Sequence, residues 1–154
     1  MEKKHILIVD DDKSILETFQ EILQSKGYNI DTSETGREAI EKSKTRFYNL
    51  ALLDISLPDM EGTNLLTKLH STTPKMMKIM VTGYPSQENA IRAVNQGADA
   101  YVVKPVNPQE LIKIVEEKLK EQEKAEKMSE EKVADWIKMR IQKLKQEPKK
   151  NKPQ

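Results

Sequence analysis

The sequence predicts an α/β protein built on a doubly wound, five-stranded parallel sheet. Short aliphatic runs alternate five times with segments of helical periodicity, which is typical of a parallel sheet covered by helices. The first and third runs are almost wholly apolar, as expected for central strands that are buried on both faces. Polar residues directly follow several of these runs. In such a sheet the ligand-binding crevice lies at the carboxyl ends of the strands.

The five strands predicted from these runs are short. They cover residues 6–9, 28–32, 50–53, 79–81 and 100–103. Between the first two, Ile15, Phe19 and Leu23 recur at helical spacing, and Gly27 follows where a helix commonly ends on a left-handed residue. After the fifth strand, Asn107 and Pro108 are typical of a helix start, with a capping side chain and a proline in the first turn.

Composition and charge divide the chain into two parts. Residues 1–117 contain 14 basic and 18 acidic residues, net −4, whereas residues 118–154 contain 12 basic and 7 acidic residues, net +5. There is no cysteine, so disulfides and thiolate metal sites are excluded. No apolar run approaches membrane-spanning length, and we expect a cytoplasmic protein that does not insert into a membrane.

We expect one domain over residues 1–119 and a charged helical extension over residues 120–154, whose basic end from Pro148 is disordered. Residues 120–132 are compatible with a solvated helix or with a linker. A weak amphipathic pattern follows at Val133, Trp136, Ile137, Ile141 and Leu144. This stripe could dock on its own domain, either for a function or merely to hide its apolar side, pair with a second copy or bind a partner.

Five polar residues that follow predicted strands are expected to converge at one edge of the sheet. They are Asp10, Asp11, Asp54, Thr82 and Lys104. Acids brought close together repel one another unless a cation is present, and Mg²⁺ binds carboxylates and phosphate oxygens. The neighbouring Asp12 is better explained as a cap of the following helix.

Asp54 is the candidate nucleophile because a carboxylate can form an aspartyl phosphate. The transition state of phosphoryl transfer spreads negative charge over its oxygens, which a metal ion, the Lys104 ammonium and the Thr82 hydroxyl could neutralise. Each residue alone has an ordinary structural explanation as a surface charge, a strand former or a turn residue. Their joint placement at several strand ends favours the phosphate-handling site.

Residues 5–119 resemble the receiver domain of two-component response regulators, in particular chemotaxis-regulator-like receivers. The resemblance rests on identities and spacing in four stretches: IVDD at 8–11, LDISLP at 53–58 with Gly62, VTG at 81–83 and GADAYVVKP at 97–105. It implies a flavodoxin-like fold with strand order 2-1-3-4-5. It also implies a signalling protein that catalyses its own phosphorylation and dephosphorylation and is otherwise not an enzyme.

The resemblance implies a role for each site residue. Asp54 would accept a phosphoryl group from a histidine kinase or a histidine phosphotransfer protein. Asp10, Asp11, Asp54 and the main-chain carbonyl of Ser56 would hold Mg²⁺, and Lys104 would contact the phosphoryl group. The Lys104–Pro105 peptide bond would be cis.

The same resemblance implies a switch. Thr82 would move toward the phosphoryl group and Tyr101 would fill the space it leaves, changing the surface of the fourth and fifth helices. Ser56 and Tyr84, each two residues beyond a site residue, would control the water that hydrolyses the phosphoryl group. We therefore expect slow self-dephosphorylation.

The sequence thus predicts a stand-alone receiver that acts through a downstream protein or a second copy, with no separate DNA-binding domain and no nucleic-acid ligand. The alternative is a degenerate receiver that works as a scaffold or dimerisation module without phosphorylation. A flavin binder is disfavoured because Asp10–Asp12 would repel a flavin phosphate. A phosphatase that needs a second acid two residues after its nucleophile is disfavoured because Ser56 occupies that position.

Overall fold

The computed structural model describes residues 2–146 as five parallel strands surrounded by helices. The sheet has the order β2-β1-β3-β4-β5, so the predicted fold class and strand order are confirmed. The elements are β1 (His5–Val9), α1 (Lys13–Ser25), β2 (Asn29–Ser33), α2 (Gly36–Thr45), β3 (Leu50–Asp54), α3 (Gly62–Lys68), β4 (Met77–Thr82), α4 (Gln87–Asn95), β5 (Ala100–Val103) and α5 (Pro108–Gln146).

Alternate residues of the central strands feed two apolar clusters, one on each face of the sheet. One cluster joins Leu7, Leu53 and Met80 to side chains of α2, α3 and α4. The other joins Ile8 and Leu52 to side chains of α1 and of the first part of α5. β1 and β3 are therefore covered on both faces, which explains their nearly continuous apolar sequences.

Strand β4 begins at Met77, two residues before the predicted start. The prediction started too late because Lys78 interrupts the apolar run from which the strand was recognised. Lys78 is only 8% exposed. Its Nζ donates a hydrogen bond of 2.6 Å to the main-chain carbonyl of Leu66 at the end of α3. Burial lowers the pKa of Lys78, and the hydrogen bond explains how the strand accommodates a lysine.

Local residue types set the helix ends, as predicted. The Asp12 carboxylate caps α1 and accepts hydrogen bonds from the main-chain N–H groups of Ser14 and Ile15 at 2.9 and 3.4 Å. Gly27 follows α1 with φ of +92°, a conformation that side-chain-bearing residues rarely adopt. Asn107 accepts a 2.7 Å hydrogen bond from the N–H of Glu110 in the first turn of α5.

Helix α5 extends over 39 residues, so residues 120–132 are helical rather than a linker. The chain divides into two compact units, one ending at Gln122 and one beginning at Glu123. Gln122 is buried in the first unit, where its amide donates to the carbonyls of Asn49 and Lys75 at 2.8 and 2.7 Å. It also accepts a 3.3 Å hydrogen bond from the Asn49 side chain.

In the second unit, the five apolar residues singled out from the sequence lie on α5 and are 46–67% exposed. The expected disordered end, from Pro148, lies outside the described residues. None of the helices within residues 2–146 combines the length and the apolar character needed to span a bilayer.

Candidate functional site

The carboxyl ends of four neighbouring strands carry the candidate site. Asp10 directly follows β1, Asp54 and Thr82 are the last residues of β3 and β4, and Lys104 directly follows β5. Asp10, Asp54 and Thr82 are buried, with 3%, 6% and 0% exposure. The parallel sheet therefore brings together groups that are up to 94 positions apart in the sequence.

Lys104 links the two buried carboxylates. Its Nζ donates to Asp10 Oδ2 at 2.7 Å and to Asp54 Oδ2 at 3.2 Å. Burial alone would lower the pKa of the Lys104 ammonium, but the hydrogen bond and the charge of Asp10, with the charge of Asp54, outweigh burial and raise it. Lys104 is therefore a persistent positive charge at this edge of the sheet. Its peptide bond to Pro105 is cis, as expected from the resemblance.

Three carboxylates form a cluster that could hold a metal ion. One oxygen each of Asp10, Asp11 and Asp54 lies within 4.8 Å of the others, and Asp11 is the exposed member. Burial is the main cause that raises the pKa of Asp10, which means that its charge lacks full compensation despite Lys104. A set of oxygen ligands that includes two buried acids fits Mg²⁺, since a divalent cation supplies the missing charge.

Main-chain hydrogen bonds orient the two buried carboxylates. Asp10 Oδ1 accepts from the N–H of Asp12 at 2.9 Å. Asp54 Oδ1 accepts from the N–H of Ser56 at 3.3 Å, while its other oxygen faces Lys104. Each carboxylate is thus held on one side by the backbone and on the other by the ammonium.

The loop between β3 and α3 is closed tightly behind Asp54. Ser56 pairs with Glu61 in an isolated antiparallel bridge, and the N–H of Gly62 donates to the carbonyl of Ile55. A Cβ atom at Gly62 would lie 1.9 Å from the main-chain oxygen of Asp54. Only glycine allows the start of α3 to approach the main chain of Asp54 this closely.

Two contacts of this loop were not predicted from the sequence. The Asp59 carboxylate accepts 2.9 Å hydrogen bonds from the N–H groups of Gly36 and Arg37 at the start of α2, and these bonds lower the pKa of Asp59. Glu61 forms a 3.1 Å ion pair with Arg92 of α4. No local pattern predicts either partner, because the pairs are more than 20 residues apart.

Thr82 and Tyr101 lie on adjacent strands. Tyr101 pairs in register with Met80, and Thr82 with Val103. The Thr82 hydroxyl accepts a 3.0 Å hydrogen bond from the N–H of Tyr84. Tyr101 packs against the core, and its buried hydroxyl has no hydrogen-bond partner within the described part of the chain.

The two residues expected to control dephosphorylation are on the surface. The side chain of Tyr84 is 74% exposed, and Ser56 is exposed at the start of the loop behind Asp54. Their effect on hydrolysis stays a prediction. The tail residues singled out from the sequence, within 133–144, belong to the second compact unit.

Comparison with known proteins agrees with this geometry. Residues 6–116 match the family model of the response regulator receiver domain. The cell cycle response regulator CtrA of Brucella ovis is 34% identical over 107 residues, which cover 70% of this chain. The chain spans less than half, 46%, of the length of that relative.

Among solved structures, a CheY-like receiver domain protein from Methanospirillum hungatei is 53% identical, with a TM-score of 0.77, covering 80% of this chain and 99% of the other. A response regulator from Burkholderia pseudomallei, 25% identical with a TM-score of 0.70, covers 82% and 75% and contains a phosphorylated aspartic acid and a calcium ion. The chain belongs to the response regulator receiver family of two-component signalling proteins. Receiver domains bind Mg²⁺, and the cluster of Asp10, Asp11 and Asp54 fits that ion.

Proposed function

We propose that this receiver accepts a phosphoryl group on Asp54 and transmits the signal by changing its contacts with other proteins. The donor is a phosphohistidine of a histidine kinase or of a histidine phosphotransfer protein. The observation that carries the proposal is the placement of Asp54, a buried carboxylate at the end of a central strand, beside Lys104 and a second buried acid.

In the transfer step, a carboxylate oxygen of Asp54 forms a bond to phosphorus as the bond between phosphorus and the donor imidazole nitrogen breaks. The released imidazole takes up a proton from solvent. Negative charge spreads over the phosphoryl oxygens in the transition state. The Lys104 ammonium, which lies 3.2 Å from Asp54 Oδ2, would contact these oxygens. Mg²⁺, held by Asp10, Asp11, Asp54 and the main-chain carbonyl of Ser56, would supply further neutralising charge.

After transfer, the Thr82 hydroxyl becomes a hydrogen-bond donor to the phosphoryl group. Thr82 exchanges its contact with the N–H of Tyr84 for this stronger, charge-assisted bond. Tyr101 then occupies the space next to Thr82 on the same face of the sheet. The surface formed by α4, β5 and the first part of α5 changes as a result, and it is the face offered to a downstream protein or to a second copy.

Loss of the phosphoryl group requires a water molecule to reach phosphorus in line. Tyr84 and Ser56 stand at the surface on the chain segments that follow Thr82 and Asp54. We infer that the Tyr84 ring hinders this water and lengthens the lifetime of the phosphorylated form. Tyr84→Ala should therefore shorten the phosphoryl half-life, and an unchanged half-life would refute this role.

The test is to incubate the full chain with Mg²⁺ and acetyl phosphate and to follow phosphorylation by intact-protein mass spectrometry. We expect labelling of the wild type, none of Asp54→Asn, and labelling of the matched control Asp135→Asn on the second unit. Labelling that persists in Asp54→Asn contradicts the assignment of the acceptor. Absence of labelling in the wild type favours the alternative of a scaffold receiver that works without phosphorylation.

The molecular mass in solution, measured on the same samples, tests whether phosphorylation acts through self-association. Dimerisation on phosphorylation would raise the mass of the wild type and leave that of Asp54→Asn unchanged. A constant mass would contradict a signal carried by self-association and leave a different protein as the partner.

A further inference from the structure

The second compact unit presents an apolar stripe to solvent. Val133, Trp136, Ile137, Ile141 and Leu144 are each between 46% and 67% exposed. At about 100° per residue, these side chains fall within an arc of roughly 140° on one side of α5. Arg140 also falls within this arc. A helix that exposes such an arc of apolar side chains is expected to cover it on binding.

We propose that segment 132–146 of α5, which we name the basic amphipathic segment, binds in the interface of a membrane that contains anionic lipids. The helix would lie along the surface with its apolar stripe buried below the headgroups and would not cross the bilayer, which replaces the sequence expectation of no membrane insertion. This is the binding mode expected of a helix with a lysine-rich polar face, an apolar face that includes tryptophan, and low overall hydrophobicity.

The placement of charge identifies an anionic surface as the occupant. The segment contains five basic residues and one acidic residue. Lys132 and Lys143 flank the stripe on one side and Lys138 and Lys145 on the other, each about 95–125° from its centre. The acid, Asp135, lies opposite the stripe. Lysines at both margins can extend to lipid phosphates while their aliphatic stems cover apolar surface.

This charge pattern disfavours a second copy of the chain as the occupant. Pairing of two such stripes would bring the flanking lysines of one helix toward those of the other, in a parallel or an antiparallel arrangement. Like charges that face each other across a helix pair are destabilising. An anionic lipid surface instead meets both rows of lysines with opposite charge.

Arg140 and Trp136 favour a lipid interface over a closed apolar groove on a protein. Arg140 lies within the arc of the stripe, and its guanidinium carbon is 5.8 Å from the centroid of the Trp136 ring. In a closed groove the guanidinium would lose its water and require a dedicated acid. At the headgroup level it can bind phosphate, and the amphipathic ring of tryptophan favours the same depth.

Trp136 is the only tryptophan in the chain, so its fluorescence reports directly on this segment. The full-length protein is mixed with vesicles of phosphatidylcholine or of phosphatidylcholine with 30% phosphatidylglycerol, and binding is followed by the emission maximum and by co-sedimentation. We expect a blue shift and co-sedimentation with the anionic vesicles alone, and weaker binding as salt is raised.

Variants separate the apolar and the charge contributions while keeping the reporter. Ile137→Asp should abolish binding. Lys138→Glu with Lys145→Glu should weaken it by about 25-fold or more, since each lysine near an anionic surface contributes roughly fivefold. The matched control is Lys124→Glu with Lys127→Glu, the same charge change on the same helix outside the segment, and it should bind like the wild type. Circular dichroism of each variant checks that the helix is retained.

Three outcomes would overturn the proposal. If the wild type failed to bind anionic vesicles, a partner protein with an apolar groove would remain as the binding partner of the stripe. Equal binding to neutral vesicles, or equal losses in both lysine pairs, would contradict the role of the flanking lysines. A dimer in the absence of lipid that Ile137→Asp converts to monomer would identify a second copy. None of these measurements depends on phosphorylation of Asp54, so this proposal and the proposed function can fail separately.

Discussion

The Nζ atom of Lys104 lies 2.7 Å from Oδ2 of Asp10, and this contact joins the ends of β5 and β1 across the sheet. Both side chains are largely buried, at 16% and 4% exposure. The ammonium therefore supplies one positive charge inside a cluster of three carboxylates. A divalent cation in the same cluster would be repelled by Lys104 and attracted by the acids.

Removing this ammonium should strengthen magnesium binding. We expect Lys104→Met to lower the Mg²⁺ dissociation constant by at least about fivefold, because one like charge a few ångströms from the ion costs more than about 1 kcal/mol at the effective dielectric of a protein. Isothermal titration calorimetry with MgCl₂ measures the change. Lys118→Met is the matched control, since it removes the same charge from a half-buried lysine that pairs with Glu121 and is not part of the carboxylate cluster. Equal affinities of the two variants would contradict the assignment of the metal site.

Gly62 should not tolerate a methyl group. In Gly62→Ala the Cβ would overlap the main-chain oxygen of Asp54 at 1.9 Å, so the loop must shift, and we expect a loss of at least about 3 kcal/mol in the free energy of unfolding. Gly83→Ala is the control because the nearest atom to its Cβ would be 3.9 Å away, on the Lys104 side chain. Urea unfolding compares the two variants. If the free energy of unfolding of Gly62→Ala lay within about 1 kcal/mol of that of the wild type, the close approach would be refuted.

Two tyrosine-to-phenylalanine changes should have opposite effects on stability. The buried Tyr101 hydroxyl has no partner in the described structure, so Tyr101→Phe should raise the free energy of unfolding by about 1 kcal/mol. The Tyr48 hydroxyl donates to Asp31 Oδ2 at 2.6 Å, so Tyr48→Phe should lower it by about 1 kcal/mol. Thermal or urea unfolding of the unphosphorylated protein measures both changes in the free energy of unfolding. A loss of stability in Tyr101→Phe equal to that in Tyr48→Phe would show that Tyr101 has a partner.

The contact between Asp59 and the start of α2 should be pH-dependent. The N–H groups of Arg37 and Gly36 hydrogen-bond the carboxylate and lower the pKa of Asp59 below its usual value. Its contribution to stability is therefore complete above the pKa of the unfolded chain, near 4 for an ordinary aspartate, and is lost as pH falls through the lower folded pKa.

NMR can follow this titration directly. The amide resonances of Gly36 and Arg37 should change with a midpoint below the ordinary aspartate value, and Asp59→Asn should remove that transition. The difference in stability between the wild type and Asp59→Asn should be constant near neutral pH and shrink in acid. A midpoint at or above the ordinary value would contradict the hydrogen bonds that we describe.

Much of the fold and the position of the site could be predicted from the sequence because both depend on local patterns. A strand or helix is recognised from residues within a few positions of one another, as with the apolar run of β1 or the cap at Asp12. Once the sheet is parallel, the ends of its strands must share one edge, so Asp10, Asp54 and Lys104 are brought together by topology.

The partners of individual polar side chains could not be predicted in this way. Lys78 was not expected within a strand, because its acceptor, the carbonyl of Leu66, is placed by the packing of α3. Asp59 resembles an ordinary turn residue until α2 brings the N–H groups of Gly36 and Arg37 to it. Such bonds join residues from different elements, and only the packing of those elements brings the residues together.

The sequence by itself determined the order of strands and helices, the helix ends and the set of residues that converge, since periodicity and residue type act over short distances. Only the tertiary structure decided which groups hold these elements together and where the long helix passes from one unit to the next. At Gln122, two main-chain carbonyls and an asparagine 73 positions away bury a side chain that sequence would place in solvent. Hydrogen bonds need their partners within about 3 Å and in line, and only the folded chain meets that condition.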